Sequence, residues 1–482
     1  MSNRALVFTA ERLLQILSSF PVVNSYLVGF SGGADSTALL HALSVIKPQL
    51  AVHVSAVHIN HGIHADADLW QLQCEKFCHQ HDIDLDCLKI DPKVCTGKGL
   101  EAAARHLRYE AISSLLGHAD CLLTAHHADD QAETLLLNLM RGSGVDGLSA
   151  MPESRPIGNG LLQRPLLGFT NDHLLQYLQQ NHIEWIDDPS NQMLDQDRNL
   201  LRHQIVPQLE KRWPGVNRRL LLTREAMADA RTLLEKMADK TLGERLLHPF
   251  VLKLSSELCN DPLLLRLVIR RWTRKMGAGP VSAYKLADFS TQVANAKRQT
   301  KSELSWDGWR IRLYQQRLWL LHGTEVQPCP SVKLPAGKFE VYLGRDVGRL
   351  VFSSHHSKPR ESTPLPTRQS NDGLRQWPGA QISISGRQRA VASIIRHAGM
   401  HKKIKKLLQA AGIPPWLRNC IPLCQKQGAL VAVGDWCYEP SFETDLKQHD
   451  LVMHWQPEHP LLEFIASEQH ASQDRQQHRA GY

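Results

Sequence analysis

The sequence predicts an α/β protein, in which a parallel-sheet N-terminal domain precedes a small mainly helical domain and a small α+β C-terminal domain. Two observations within residues 1–215 favour the parallel sheet. Short apolar runs alternate there with segments of helical period, and polar clusters follow three of the runs. A third observation separates the later domains: the alternation of apolar runs with helical segments ends after residue 215.

The elements of the first domain follow from the spacing of apolar residues. Strands are predicted at residues 26–30, 52–59, 85–90 and 121–125. Helices are predicted at residues 37–46, 69–80, 100–116 and 130–140. Ligands of parallel sheets bind in the crevice at the carboxyl ends of the strands. We therefore expect the polar residues after the first, second and fourth strands to meet at one edge.

The first polar cluster is a glycine-rich turn between a strand and a helix. It consists of Ser31, Gly32, Gly33, Ala34, Asp35 and Ser36. Adjacent glycines, two hydroxyls and a new helix N-terminus together favour phosphate binding. The Lys of the common phosphate-binding loop is absent, and an acid stands in the turn instead. A carboxylate beside polyphosphate requires a cation between them, so Asp35 is interpreted as a Mg²⁺ ligand.

The other two clusters supply a second acid and several histidines. His58 and Asn60 stand at the end of the second strand, and His127 and Asp130 follow the fourth. Acids in a first helical turn often only complement the helix dipole, but Asp130 lies across the predicted edge from Asp35. We expect Asp130 to be the second Mg²⁺ carboxylate. His127 is either a contact to a phosphate or leaving group, or a structural residue.

Several basic and amide residues of the first domain are candidate substrate contacts. Two of them lie on the predicted 100–116 helix, one directly follows the 130–140 helix, and four lie near residues 187–202: Arg105, Arg108, Arg141, Asn191, Arg198, Asn199 and Arg202. Taken alone, these side chains are typical of solvated helix faces and caps.

The later domains are predicted at residues 216–328 and 329–455, with a polar, disordered tail at 456–482. A run of cations over 266–275 holds no acid and indicates a surface that contacts phosphate. Residues 353–379 read as a linker. A basic amphipathic helix is predicted over 401–408, with four cations: Lys402, Lys403, Lys405 and Lys406. By itself this helix suits either a membrane or nucleic acid.

Composition limits the function classes. A chain of 482 residues with 42% hydrophobic and 22% charged residues is ordinary for a folded protein, and its net charge of +8 is compatible with a polyanionic partner. Ten scattered cysteines without a CxxC pair suit reduced thiols in a cytoplasm. No run approaches the length of a membrane span, and the N-terminal stretch lacks the features of a signal peptide.

The motifs in order resemble one family. FSGGADSTALLH, VHINHG, EAAARHLRYEA, TAHHADDQAETLLLNLMRGSGVDGLSAM, RPLL and DDPSNQMLDQDRNLLRHQIVP are similar to the tRNA(Ile)-lysidine synthetases of the PP-loop ATPase superfamily. KKIKKLLQAAGIPPWLRNCIPL also resembles the last domain of the bacterial members. The resemblance implies a PP-loop fold of the adenine nucleotide alpha hydrolase type. It covers residues 25–210 and 380–440 well and the middle only loosely.

The resemblance implies a two-step ligation. ATP adenylates the C2 carbonyl oxygen of the cytidine at the first anticodon position of a CAU-bearing tRNA(Ile), and pyrophosphate leaves. The ε-amine of L-lysine then attacks C2 and expels AMP, which leaves lysidine. The codon that the tRNA reads changes from AUG to AUA. Because cleavage lies between the α and β phosphates, the missing loop Lys is not needed.

Residue roles are carried over by position. The resemblance implies that the turn at residues 31–36 holds ATP, that Asp35 and Asp130 bind Mg²⁺, and that His58 and Asn60 lie beside the adenosine. Arg198, Asn199 and Arg202 grip either phosphates or the lysine carboxylate. The lysine amine must lose a proton, and His127 and Glu133 are candidate bases. The basic helix at 401–408 is expected on the acceptor stem.

Other classes make different demands on the sequence. A PP-loop tRNA thiolase acting on an anticodon-loop cytidine is the main alternative, but it needs reactive cysteines at the active edge. An amidotransferase-type synthetase needs a glutaminase domain. A non-catalytic RNA-binding protein leaves the two facing acids without a purpose. We expect a cytoplasmic enzyme without a membrane partner; a homodimer is left open.

Overall fold

The structure is a computed structural model that divides into two compact units, residues 1–234 and 235–482. It describes residues 7–60, 62, 66–90, 100–189, 197–295, 302–323, 325–334, 338–354, 382–388, 390, 393–397 and 400–480, with backbone alone at 100–106, 397 and 474–480. The boundaries predicted at residues 215, 328 and 455 stay a prediction, since the contacts divide the chain in another way.

The first unit is built on a six-stranded sheet in the order β3-β2-β1-β4-β6-β5. The strands are β1 (Ser25–Gly29), β2 (His53–Asn60), β3 (Asp84–Lys89), β4 (Cys121–Leu123), β5 (Ser154–Ile157) and β6 (Gly160–Gln163). Neighbours from β3 to β6 are parallel, and only β5 is antiparallel to its partner. The chain order reverses between β1 and β4, which makes a crevice at their carboxyl ends.

Helices cover this sheet and extend beyond it. They are α1 (Ala10–Ser19), α2 (Ala34–Ile46), α3 (Ala67–Gln80), α4 (Leu100–Leu115), α5 (Ala128–Met140), α6 (Val145–Leu148), α7 (Asn171–Gln180), α8 (Asp197–Leu200) and α9 (Val206–Arg212). Short 3₁₀ and π-helical turns occupy Lys47–Gln49 and Leu201–Ile205. The predicted strands and helices of this domain are confirmed, with ends shifted by at most three residues.

The sheet is buried on both faces, as the continuous apolar runs indicate. Successive residues of β1 alternate between two apolar clusters: Leu27 lies in one with Leu122, and Val28 lies in the other with Leu39. This alternation follows from the two-residue period of a strand. Both faces are therefore used for packing, and only the strand ends remain for chemistry.

The second unit begins within the long helix α10 (Val216–Arg245), and its described residues form three sheets and a hairpin. Its strands are β7 (Leu246–His248), β8 (Val251–Lys253), β9 (Glu303–Trp306), β10 (Trp309–Tyr314), β11 (Arg317–His322), β12 (Val332–Lys333), β13 (Glu340–Tyr342), β14 (Arg349–Ser354), β15 (Ile382–Ser385), β16 (Ile394–His397), β17 (Met400–Lys403), β18 (Leu423–Lys426), β19 (Ala429–Val433), β20 (Cys437–Tyr438) and β21 (Leu451–Gln456). Its further helices are α11 (Ser256–Asn260), α12 (Pro262–Lys275), α13 (Ala283–Ala294), α14 (Ile404–Ala410), α15 (Pro440–Gln448) and α16 (Pro460–Ala480), with a 3₁₀ turn at Pro415–Leu417.

The middle of the chain carries more β structure than predicted. The predicted hairpin is present as β10 and β11, and β7, β8 and β9 extend it to a five-stranded sheet in the order β7-β8-β11-β10-β9. Helices α11, α12 and α13 pack on it through an apolar cluster that includes Trp272 and Phe289. The C-terminal part follows with sheets β12-β15-β18-β19-β20 and β13-β14-β21, as an α+β arrangement.

Three expectations about the second unit need correction. The cations of 266–275 have no acid within their own segment, but Arg271, Arg274 and Lys275 are compensated because α10 supplies Glu235 and Asp239, which pair with them at 2.7–3.1 Å. The phosphate-contacting surface stays a prediction. The predicted 401–408 helix begins only at Ile404, because Lys402 and Lys403 lie in β17 and pair with β16. Ile404 and Leu408 are buried, as the apolar face of an amphipathic helix is expected to be.

The third correction concerns the tail, which was expected to be disordered after residue 455. Residues 460–480 form α16, and its first turns bury Leu461, Leu462, Phe464 and Ile465. The polar composition of the later turns concealed this short apolar face. The expected linker lies outside the described residues except for Ser353 and Ser354, which belong to β14. No helix in the described part of the chain is long and apolar enough to cross a membrane.

Candidate functional site

The turn at residues 31–36 lies at the carboxyl end of β1, beside the reversal of strand order. Gly32 has φ +82°, and a Cβ there would collide with Ile186 and approach Cys74 Sγ at 3.0 Å. The Gly32 carbonyl accepts hydrogen bonds from Thr37 Oγ1 at 3.0 Å and from Ile186 N at 2.9 Å. Only glycine therefore fits this position.

The same turn is stabilised by its own hydroxyls. Ser36 Oγ donates to Gly33 O at 3.0 Å and lies 3.1 Å from Ser31 Oγ, which accepts from Gly33 N at 3.3 Å. Gly33 is the N-cap of α2 and provides no side-chain cap. The first N–H groups of α2 consequently form a positive end that suits phosphate.

Asp35 and Asp130 converge on one buried histidine. His127 Nε2 lies 3.4 Å from Asp35 Oδ2 and 3.6 Å from Asp130 Oδ2, and its side chain is 2% exposed. His127 is the N-cap of α5, and its backbone N–H donates to Asp130 Oδ2 at 3.0 Å. Of the three strand-end clusters predicted to meet, those after the first and fourth strands are thus in contact, with a histidine between the carboxylates.

The charge of His127 follows from this environment. Burial alone would lower its pKa, but the carboxylates of Asp129 and Asp35, with the charge of Asp130, raise the pKa to about 10. His127 Nδ1 lies 3.5 Å from Asp129 Oδ2 without a well-aligned hydrogen bond. At neutral pH the ring is therefore a cation held by three acids.

Arg202 forms a second, tighter ion-pair group with Glu133 and Asp130. Its Nε lies 2.7 Å from Glu133 Oε1, and its Nη2 lies 3.2 Å from Glu133 Oε2 and 3.0 Å from Asp130 Oδ1. Burial raises the pKa of Glu133, and the guanidinium opposes that rise. Arg202 stands in the π-helical turn Leu201–Ile205, a geometry that occurs often at functional sites.

Two asparagines and one acid of the site were missed by the sequence reasoning. Asn171 Nδ2 donates to Asp35 Oδ1 at 3.0 Å, and Asn171 N donates to Asp129 Oδ2 at 2.8 Å. Asn217 Nδ2 donates to Asp129 Oδ1 at 3.1 Å. Asp129 was adjacent to a predicted residue, but neither asparagine stands in a pattern that signals a ligand.

These side chains line a cavity of about 210 Å³. Its walls come from α5, α7, α9, α10 and the π-helical turn: His127, Asp129, Glu133, Asn171, Arg202, Val206 and Asn217. The lining of the cavity contains one arginine, Arg202, and two acids, Asp129 and Glu133. Such a mixture of charges suits a small zwitterion.

His58 and Asn60 lie on β2, and both are buried. His58 Nδ1 is 3.0 Å from Phe30 O, and burial lowers its pKa. Asn60 Nδ2 donates to Asp68 and Gln71 at 2.9 and 3.1 Å, and its Oδ1 accepts from Gly62 N. Their polar atoms are engaged within the protein, so their predicted place beside adenosine stays a prediction.

The remaining predicted residues occupy several places. Arg198 donates to Thr134 Oγ1 at 3.3 Å, and Arg141 lies 3.7 Å from Asp197. Asn199 is buried and Arg108 is exposed. The Arg105 side chain and Asn191 lie outside the described residues. Lys402, Lys403, Lys405 and Lys406 belong to the second unit.

The cysteines near this site are poor nucleophiles. Burial raises the pKa of Cys74 and of Cys121 to about 12. Cys121 Sγ also donates to Gln163 Oε1 at 3.1 Å within the sheet. None of the residues lining the cavity is a cysteine. This arrangement does not favour the thiolase alternative.

Comparison with known proteins gives matches along the chain. A family model described as a PP-loop domain matches residues 7–209, a TilS substrate binding domain matches 261–319, and a TilS substrate C-terminal domain matches 382–455. The tRNA(Ile)-lysidine synthase of Methylococcus capsulatus is 34% identical over 90% of this chain and 97% of that protein. The synthase of Xylella fastidiosa strain Temecula1 is 36% identical over 89% and 94%, and that of Coxiella burnetii 32% over 91% and 94%.

Proposed function

Because this chain belongs to the tRNA(Ile)-lysidine synthase family of ATP-using PP-loop ligases, we propose that it joins L-lysine to C2 of the first anticodon cytidine. The enzyme modifies tRNA(Ile) and forms lysidine. The finer proposal has two steps, adenylation of the cytidine with loss of pyrophosphate and attack by the lysine ε-amine with loss of AMP. The observation that carries it is the meeting of Asp35 and Asp130 at His127, beside the turn at residues 31–36.

In the first step we assign the phosphates to the turn at residues 31–36. The N-terminal N–H groups of α2 and the hydroxyls of Ser31 and Ser36 are positioned to bind the departing pyrophosphate. His127 is a cation at neutral pH, so it fits a contact to phosphate or to the leaving group. The same charge makes it unsuitable as the base that receives the lysine proton.

We assign Mg²⁺ to Asp35 and Asp130, a pair of carboxylates, since the described residues contain no group of three or more histidine, cysteine or acidic side chains placed to hold a metal ion. Two carboxylates already stabilise a positive ring between them, and carboxylate oxygens are the ligands that Mg²⁺ prefers. Asp35 is the more available, because Asp130 also holds Arg202 and the His127 backbone N–H. Bound there, the ion would neutralise phosphate charge during adenylation.

For the second step we place L-lysine in the cavity beside Arg202. Arg202 can offer Nη1 to the lysine carboxylate, since its Nε and Nη2 already bond Glu133 and Asp130, and Asp129 can bind an ammonium. Glu133 has a raised pKa and is the better candidate base of the two considered. We propose that the enzyme acts in the cytoplasm, because its substrate is a tRNA.

The test measures pyrophosphate release and incorporation of labelled lysine into a tRNA(Ile) transcript with the CAU anticodon. We expect one lysine per transcript, and none when uridine replaces the first anticodon cytidine. Pyrophosphate release without lysine incorporation, or incorporation of sulfide in its place, would contradict the proposal.

The carboxylate assignment has its own variant and control. Asp35→Asn should lower turnover about a hundredfold or more, as expected when a charge that stabilises the transition state is removed. Asp172→Asn removes an exposed acid next to Asn171 and should leave turnover unchanged. Near-normal turnover of Asp35→Asn would remove the assignment.

A further inference from the structure

A second cavity lies within residues 235–482, and the reaction described above does not use it. It has a volume of about 220 Å³. One wall is formed by β10 and β11, another by the 3₁₀ turn at Pro415–Leu417, and a third by the start of α16. The walls therefore combine the regions matched by the TilS substrate binding and C-terminal family models with a helix that lies beyond both.

Two arginines give this cavity a positive side. Arg310 and Arg312 lie 3.7 and 3.6 Å from Glu325 Oε1, whose side chain is 69% exposed. Arg312 also pairs with Glu303, and Arg310 donates to Gly323 O at 3.2 Å. Since the contacts to Glu325 are long and exposed, an incoming anion can replace that carboxylate.

Trp416 provides a hydrogen-bond donor without an acceptor. The Arg312 guanidinium lies 5.2 Å from the centre of its ring, and Tyr314 packs edge-on at 6.1 Å. Its Nε1 is buried and has no hydrogen-bond partner among the described residues. A buried N–H group in this state favours a ligand that brings an acceptor.

The rest of the cavity is mostly apolar. Phe250, Leu320, Leu321 and Leu461 belong to its lining, together with His322 and His459. The cavity is thus suited to a ligand with a flat apolar part, a hydrogen-bond acceptor and a negative group. A nucleotide has all three, since its base presents a π-face and carbonyl oxygens and its phosphate an anion.

We propose that this cavity binds one nucleotide of the tRNA substrate, with its phosphate at Arg310 and Arg312 and its base against the apolar wall beside Trp416. The inference rests on tRNA being the substrate. It gives the second unit a discrete nucleotide site in addition to electrostatic attraction. A free mononucleotide has the same chemistry and is separated from tRNA by the test.

The experiment compares binding of full-length tRNA(Ile) with activity on an isolated anticodon stem-loop. Trp416→Phe keeps the ring and removes the N–H group, and Arg310→Gln removes one charge. Each should raise the Kd for full-length tRNA about tenfold, the size expected for loss of one specific contact. Neither should change lysine incorporation into the stem-loop. Lys333→Gln, at an exposed cation outside the cavity, is the matched control.

The outcomes separate this inference from the proposed function. An unchanged Kd for tRNA in both variants would overturn the inference. Binding of AMP or CMP that both variants lose, with tRNA binding unchanged, would identify a free-nucleotide site and also overturn it. Failure of the wild-type enzyme to incorporate lysine into full-length tRNA(Ile) would count against the proposed function alone. Arg310→Lys should bind tRNA better than Arg310→Gln, and thermal unfolding verifies that all variants are folded.

Discussion

The crevice of the first unit and the cavity of the second differ in how their arginines are paired. Arg202 bonds Glu133, whose side chain is 3% exposed, through two short contacts. Arg310 lies 3.7 Å from Glu325, whose side chain is 69% exposed. Buried, bidentate pairs fix geometry, whereas exposed pairs are weak and exchange partners. The difference indicates that the first site is organised for chemistry and the second for an incoming ligand.

The largest expected effect concerns the wall of the second cavity. Deletion of residues 459–482 removes four buried apolar side chains, Leu461, Leu462, Phe464 and Ile465. At about 1.5–3 kcal/mol for each of the four, the free energy of unfolding of residues 235–482 should fall by roughly 6–12 kcal/mol. Urea unfolding followed by tryptophan fluorescence measures it. Deletion of 474–482 alone is the control, and a loss below about 2 kcal/mol in the longer deletion would show that α16 is dispensable.

The next effect is expected in the buried pair of the first unit. Arg202→Gln leaves Glu133 buried without its cation, which costs about 3 kcal/mol in a fully buried pair and somewhat less here because Arg202 is 38% exposed. The double variant Arg202→Gln with Glu133→Gln should recover part of the loss, since no buried charge remains unpaired. Equal destabilisation of the single and double variants in urea would contradict this account.

A third prediction uses the pKa of His127, which is raised from its ordinary 6.5 to about 10. A raised folded-state pKa contributes stability that is fully present below about pH 6.5 and is lost as pH rises towards 10. The free energy of unfolding of the first unit should therefore decline over that window, and His127→Gln should flatten the decline. Parallel pH profiles of the two proteins would show that the ring is not held as a cation.

The smallest change is expected at Glu325. Glu325→Gln should alter the free energy of unfolding by less than about 1 kcal/mol, because its pairs are exposed. The same variant should lower the Kd for tRNA a few-fold, since it removes the anion that competes with phosphate. Glu340→Gln, which breaks an exposed pair with Arg349 elsewhere in the unit, should leave the Kd unchanged. Weaker tRNA binding by Glu325→Gln would show that Glu325 does not compete with a phosphate for Arg310 and Arg312.

Sequence reasoning predicted the parts of the site that depend on strand ends. Asp35, His127 and Asp130 each follow a predicted strand, and the geometry of a parallel sheet brings such positions together. Asn171 and Asn217 could not be predicted, because α7 and α10 bring single amides to the site from distant parts of the chain. No local period or spacing marks such residues.

The errors in the second unit also have physical causes. The acids that neutralise Arg271 lie 32 and 36 residues earlier, on a helix whose pairing depends on tertiary packing. Lys402 and Lys403 share the helical spacing of 401–408, but pairing with β16 takes them into a strand. In α16 the apolar side chains are concentrated near its start, so average polarity concealed the helix's buried face.

The π-helical turn at Leu201–Ile205 sets the direction in which Arg202 projects. Each residue of an ordinary α-helix turns the chain by about 100°, and a π turn accommodates one residue more per circuit. Removal of a single residue from 201–205 would restore ordinary winding and rotate one side of the segment against the other. The guanidinium would then move out of line with the carboxylates of Glu133 and Asp130 although all three side chains were retained, so the length of this segment matters as much as the identity of its residues.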